Sequence, residues 1–284
     1  MSSDLTMLQK QYHNQGFCVL TDRIPSSLLN QVNQSIDHWI ENYTIQDQHA
    51  VFEVKPQYQT HEEELFKSAE TIYGFLEKDA LDDQGRLTAP KNQVLNKIGH
   101  ALHDFIPEIK ELAHHPLIAQ CVQVVGWDQA NLVQSMVIFK PAKIGAEVPW
   151  HQDATYLITS PQRVFGIWIA LEDATIENGC LWMAPGHHTS PLREVYQIDW
   201  NQRKGLKKPL NDQPWPTLEE GVPVEVKAGS IVIFHDHMPH RSNPNESAFS
   251  RKALTFHCYD PQVEWQDENW LHRKALPPFL ISGS

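Results

Sequence analysis

His151 and Asp153 stand two apart in "VPWHQDATYL", between an apolar approach and an aromatic-bearing exit. In an extended segment residues i and i+2 point to the same side, so an imidazole and a carboxylate placed this way reach one metal ion. The pair proves little alone. A chain with 16 histidines and 35 acidic residues produces such spacings by chance, and His61 with Glu63 is a second instance. A third ligand is offered by "IVIFHDHMPHRSNPNESAFSRKALTFH", where His235, His237 and His240 follow an apolar run. Two histidines and one carboxylate on a β scaffold match the facial triad of non-haem iron oxygenases, which leaves three positions open. The same donors suit a catalytic zinc.

Arg251 separates the two metals. It opens "RKALTFH", in which the alternating Ala253, Thr255 and His257 share its face and could look inward. A buried guanidinium is costly unless it meets an anion, and its planar fork suits a carboxylate better than an ammonium would. A dicarboxylate that chelates iron at one end supplies that anion at the other. A zinc hydrolase has no use for it.

The elements that must position these groups change character along the chain. Apolar residues recur at helical spacing through Leu28, Leu29, Val32, Ile36, Trp39 and Ile40, and again in "EELFKSAETIYGFLEKDAL", "NQVLNKIGHALHDFI" and "HPLIAQCVQVVG". Residues 1–128 are therefore expected to be a mainly helical flank, with one early strand at "GFCVLT". After Gly126 the pattern breaks into short apolar runs divided by turn residues, among them "LVQSMVIFK", "RVFGIWIALED" and "SIVIFHD". Short strands without intervening helices predict a mainly β chain, an antiparallel barrel or jelly roll with helices packed outside. The core is placed at 129–260 and a C-terminal extension at 261–284. The segment 196–223, rich in proline, charge and tryptophan, shows no period and is expected to be a lid. At 284 residues the chain is near the upper size of one undivided domain, and a single domain over 1–284 is expected.

A formal net charge of −12 and the absence of a long basic run argue against nucleic acid and anionic membrane as partners. A small-molecule substrate is expected instead. Cys18, Cys121, Cys180 and Cys258 are far apart, which fits reduced buried thiols. The N-terminus lacks an apolar signal core and no stretch is long enough to span a bilayer, so a cytoplasmic location is expected.

From about Asn92 to Trp270 the ordered segments "NKIGHALH", "VQSMVIFK", "HQDATYL", "GIWIALEDATIENGCLWMAPGHHTS" and "ENWL" resemble the phytanoyl-CoA dioxygenase-like family of Fe(II)/2-oxoglutarate oxygenases. In that family the distal metal histidine is followed by serine two residues later and by the 2-oxoglutarate arginine eleven later. Here those offsets select His240, with Ser242 and Arg251, and leave His235 and His237 as strand-end or supporting groups. The resemblance further implies that Lys97, Met136, Trp168 and Ser242 line the cosubstrate pocket. Without it, Lys97 would be an exposed helix lysine and Met136 and Trp168 plain core. It implies a double-stranded β-helix of the jelly-roll, cupin-like type. It also implies a reaction in which Fe(II), 2-oxoglutarate and O2 hydroxylate an unactivated C–H bond with release of succinate and CO2. The presence of Asp153 favours hydroxylation over halogenation. Gln134, Gln152, Tyr156, Asn178, Trp182 and His188 are candidates to line the substrate side. One departure weakens inference there: the family's "PGSH" is "PGHH", with His187 in place of the serine. A zinc hydrolase on the same triad, and a non-catalytic cupin-like binding protein, are the alternatives.

Overall fold

A computed structural model describes residues 2–45, 62–78 and 80–283. His61 of the second histidine–acid spacing and Asp79 of the second helical expectation lie outside them. Among the described residues the helices are α1 (Ser2–Gln15), α2 (Ser26–Asn42), α3 (Glu62–Ser68), α4 (Lys91–Val94), α5 (Leu102–Phe105), α6 (Pro107–Ala113) and α7 (Pro116–Val125). The strands of the first half are β1 (Phe17–Leu20), β2 (Ile72–Leu76) and β3 (Leu95–His100). Those of the middle are β4 (Gln129–Lys140), β5 (Val148–His151), β6 (Thr159–Ser160), β7 (Val164–Ala170), β8 (Leu181–Met183), β9 (Glu194–Asp199) and β10 (Lys204–Pro209). The last are β11 (Val222–Val224), β12 (Ile231–His235), β13 (His240–Ser242), β14 (Arg251–Tyr259), β15 (Glu264–Trp265) and β16 (Leu280–Ser282).

An eight-stranded sheet in the order β1-β12-β7-β14-β4-β3-β2, with β16 added to β4, faces a four-stranded sheet in the order β11-β8-β13-β5. Every pairing of named strands is antiparallel. The fold is mainly β, as expected, with two open sheets facing each other rather than a closed barrel. Strand alternation divides the side chains of the large sheet. Leu254, Phe256 and Cys258 of β14 and Val137 and Phe139 of β4 join the core shared with the helices, where α2 contributes Val32, Ile36 and Ile40. Trp168, Val232, Phe234 and Ala253 face the other way, against Leu181 and Met183 of the small sheet. Arg251, Thr255 and His257 lie in register with Lys140, Met136 and Gln134 on this inner face.

Two helical expectations are corrected. "EELFKSAETIYGFLEKDAL" folds as α3 followed by β2, and "NQVLNKIGHALHDFI" as two one-turn helices flanking β3. Strand β3 pairs with β4 over Lys97–His100, so Lys97 is a strand residue whose register partner is Ile138. Long-range ladder bonds override a helical period carried by few residues, and "IYGFL" has the β-branched and aromatic composition of a strand. The stretch read as lacking a period is corrected as well: β9 and β10 form a hairpin in register from Glu194↔Pro209 to Asp199↔Lys204. Its tip is anchored. The Trp200 indole donates to the Asp267 carbonyl at 2.7 Å, and the Arg203 fork meets Glu63 at 2.6 and 2.8 Å. Apart from the hairpin turn at 200–203, only 210–221 of the segment lacks regular strands.

Candidate metal centre and cosubstrate pocket

Strands β5 and β13 pair so that His151 and His240 are direct partners, and Asp153 begins the short turn after β5. One donor atom from each of the three lies within 4.8 Å of the others. His151 Nδ1–H donates to the Pro149 carbonyl at 2.9 Å and His240 Nδ1–H to the Met238 carbonyl at 3.0 Å. Both rings therefore turn an Nε2 lone pair inward, 3.8 and 3.7 Å from Asp153 Oδ1. A carbonyl holding the far ring nitrogen is the usual way a protein orients a metal-binding imidazole. Burial, then the neighbouring His240, pushes His151 down to about 3, so it is the neutral form that faces the site. Burial opposes the charge of Asp153, yet His257, His240 and His151 together hold its carboxyl well below the ordinary range. Phe234 backs His240 with ring centres 4.8 Å apart, and it fits because residue 166 is glycine: a Cβ there would lie 2.4 Å from the ring.

Arg251 sits on the same inner face, only 2% exposed, with the Trp168 ring centroid 5.7 Å from its guanidinium. Its Nε and Nη1 have no hydrogen-bond partner. Burial pushes it down to about 10. Beside it in register is a second buried cation, Lys140, whose Nζ donates to the Asn243 carbonyl at 2.8 Å and to that of Ala146. The two idle guanidinium donors of Arg251 fit an anion with a planar head, whereas the Lys140 amine is already taken by carbonyls. Met136 is the register partner of both Thr255 and Gly99, and a Cβ on Gly99 would come within 3.0 Å of its Cγ. Lys97 stands on β3 with its ammonium 4.9 Å from the Phe75 ring centre. Ser242 is buried on β13, two residues beyond His240. Trp168 of the large sheet thus packs against the small sheet that carries His151, His240 and Ser242, with the Arg251 guanidinium beside its ring.

Other candidates fall elsewhere. His235 packs against Tyr12 and His188, with ring centres 6.3 and 5.6 Å away, and His237 lies in the turn beyond it. Gln152 is spent on the His237 carbonyl and the Arg193 backbone, and Asn178 on its own turn. Trp182 is in register with Arg241, on the alternate positions from His240. His188 contacts the His13 carbonyl at 3.1 Å. Gln134 and Tyr156 remain near the candidate ligands: Gln134 in register with His257, and Tyr156 three residues past Asp153, beneath Lys207 of the hairpin. In the sequence His257 stands out only as a neighbour of Arg251 on one strand face. The structure puts its Nε2 at 2.9 Å from Asp153 Oδ2.

Burial sets Lys97 and Lys140 both to about 7, whereas an unfolded lysine titrates near ~10.4. Between those values the unfolded chain holds protons that the folded chain lacks, so stability rises as pH increases from about 7. The buried thiols Cys18, Cys121 and Cys258 are pushed up and act oppositely once an unfolded thiol begins to ionise, near ~8.5. The expected result is a melting temperature that climbs between about pH 7 and 8.5. Lys140→Met should flatten that climb, and thermal scans across the window measure it.

Two antiparallel sheets carry a histidine–carboxylate–histidine cluster and a buried arginine. The model of the phytanoyl-CoA dioxygenase family matches residues 12–253, and the chain belongs to that family. "Phytanoyl-CoA dioxygenase 1" of Oryza sativa subsp. japonica is 40% identical over 239 residues, 82% of each chain. "Phytanoyl-CoA dioxygenase domain-containing protein 1" of Danio rerio is 34% identical over 288 residues, 95% of each. The chain is accordingly a dioxygenase, and its family uses Fe(II), 2-oxoglutarate and O2 on small-molecule substrates. The epimerase SnoN, solved with Fe3+, alpha ketoglutarate and nogalamycin RO, shares 15% identity and a TM-score of 0.65, covering 98% of this chain and 94% of its own. At that identity the likeness concerns the fold. No helix of the described residues is long and apolar enough to cross a membrane.

Proposed function

We propose that this protein is a hydroxylase of a small molecule in which His151, Asp153 and His240 hold Fe(II) and Arg251 binds the far carboxylate of 2-oxoglutarate. The observation that carries the reading is Arg251, buried with two unpaired donors on the large-sheet face turned toward the small sheet that carries His151 and His240. Lys97, Met136, Trp168 and Ser242 complete the cosubstrate pocket. Because β3, which carries Lys97, joins the same sheet as β14, which carries Arg251, the described residues work as one domain. Bound Fe(II) supplies oxygen activation coupled to decarboxylation of the keto acid, with succinate and CO2 as products. The chain's own residues do the rest. Two imidazoles and one carboxylate supply a facial ligand set, Arg251 fixes the cosubstrate's direction, and the facing sheets limit access of water. Four buried free cysteines support a reducing, cytoplasmic setting, and the net charge of −12 supports a partner other than nucleic acid.

The test is succinate formation from 2-oxoglutarate by purified protein. Fe(II) and O2 should both be required and Zn(II) should not substitute; succinate-free hydrolysis with Zn(II) would instead establish the hydrolase reading. The β9–β10 hairpin is assigned to substrate choice, since it brings Lys207 over the ring of Tyr156 at 5.8 Å, beside the ligand turn. Replacing residues 201–208 by a short Gly/Ser turn should preserve 2-oxoglutarate binding and uncoupled succinate release while hydroxylation of substrate falls at least tenfold. Unchanged kcat/KM for substrate would make the hairpin a surface excursion.

A further inference from the structure

Asp153 uses its two oxygens differently. Oδ1 faces the Nε2 atoms of both His151 and His240, at 3.8 and 3.7 Å, while Oδ2 accepts a hydrogen bond from His257 Nε2 at 2.9 Å. A carboxylate only accepts, so the proton of that bond resides on His257 Nε2. Resting on the metal assignment above, we propose that His257 is a positioning residue: it holds Oδ2 so that Asp153 offers a metal one oxygen only.

The bond has a consequence for coordination number. A carboxylate that can swing takes a cation through both oxygens and fills one of the positions the cosubstrate and O2 require. Pinned through Oδ2, it occupies one position and leaves three open. Nothing else in the ring's surroundings accounts for its placement by hydrogen bonding, because His257 Nδ1 is buried without a partner. Two other buried histidines differ. His100 Nδ1 is bonded to Ser68 Oγ at 2.7 Å, and His103 Nδ1 to Ser135 Oγ at 2.7 Å, where they tie structural elements together. His257 instead makes its single side-chain bond to a proposed metal ligand 104 residues away. Strand register aims it. Arg251 and His257 occupy the same face of β14, and the partner of His257 on β7 is Gly166, which places no side chain in its way. One strand thereby carries the group for the cosubstrate's carboxylate and the group for the metal's carboxylate.

The test uses the full-length protein and Co(II), titrated without 2-oxoglutarate and followed by affinity and by the visible d–d band, which reports coordination number. His257→Phe keeps an aromatic ring and removes the donor; His257→Gln keeps an N–H at similar reach, and His257→Asn has one that is too short. Loss of the outer hydrogen bond to a ligand typically weakens metal binding on the order of 10- to 100-fold. We expect that loss, with an altered band, in Phe and Asn variants, and affinity within a few-fold of wild type in the Gln variant. If the Phe variant fails to fold, the Gln and Asn pair gives the same comparison. Wild-type affinity and an unchanged band in the Phe or Asn variant would overturn the role, and so would equal weakening in all three. If Asp153→Ala binds Co(II) as tightly as wild type, the metal assignment itself fails. If that variant loses the ion while Phe and Asn do not, only the role of His257 fails.

Discussion

Alanine at His151, Asp153 or His240 is expected to reduce turnover to background, while alanine at His235 or His237 preserves most of it. The three residues place their donor atoms within 4.8 Å of one another, and each imidazole already has its far nitrogen bonded to a carbonyl. Altering a group that merely supports a ligand costs about 10- to 100-fold in metal affinity, and removing a direct ligand should exceed that. His237 is the informative control because it lies three residues from His240. Sequence proximity alone does not bring it to the site; the pairing of His240 with His151 does. Fe(II)-dependent succinate release by the five variants measures the contrast. Activity retained without His240 and lost without His237 would identify a different distal ligand.

The second large effect is expected at Arg251. Truncating a buried partner of a charge pair costs on the order of 2–5 kcal/mol, so Arg251→Ala should raise the KM for 2-oxoglutarate by about 30-fold or more. Arg251→Lys should recover part of this, since an ammonium cannot form the two-pronged contact. The ligand-free protein should not lose comparable stability, because its guanidinium is buried beside Lys140 with two donors idle. A ligand that binds only the folded state raises its melting temperature. That rise with 2-oxoglutarate should therefore be present in wild type and absent in Arg251→Ala. An equal rise in both would remove Arg251 from the cosubstrate site.

The three residues proposed to hold a metal were legible as candidates because their chemistry is local in sequence: His151 and Asp153 share one short segment, and His240 stands at fixed offsets from Ser242 and Arg251. The strands of the second half were legible from short apolar runs between turns. Strand β3 was not. Val94, Ile98, Leu102 and Phe105 repeat at helical spacing, and only pairing with β4 makes Lys97–His100 extended. Lys97 was assigned to the pocket by resemblance, and its place on a strand rather than a helix came from that pairing. The hairpin hid behind its charge: "KGLKKP" has weak alternation, and β9 supplies the partner that orders it. The contact between His257 and Asp153 had no signal beyond the two-residue alternation from Arg251, since 104 residues separate its members. Lys140 was missed because a lysine ending an apolar strand reads as solvated, whereas here two carbonyls receive its ammonium.

The most direct measurement is anomalous diffraction at the iron edge from crystals prepared without oxygen in Fe(II) and 2-oxoglutarate. One iron peak is expected, bonded by His151 Nε2, Asp153 Oδ1 and His240 Nε2, with the far carboxylate of 2-oxoglutarate on the Arg251 fork. Iron held by His235 or His237, or a cosubstrate whose far carboxylate lies away from Arg251, would contradict it.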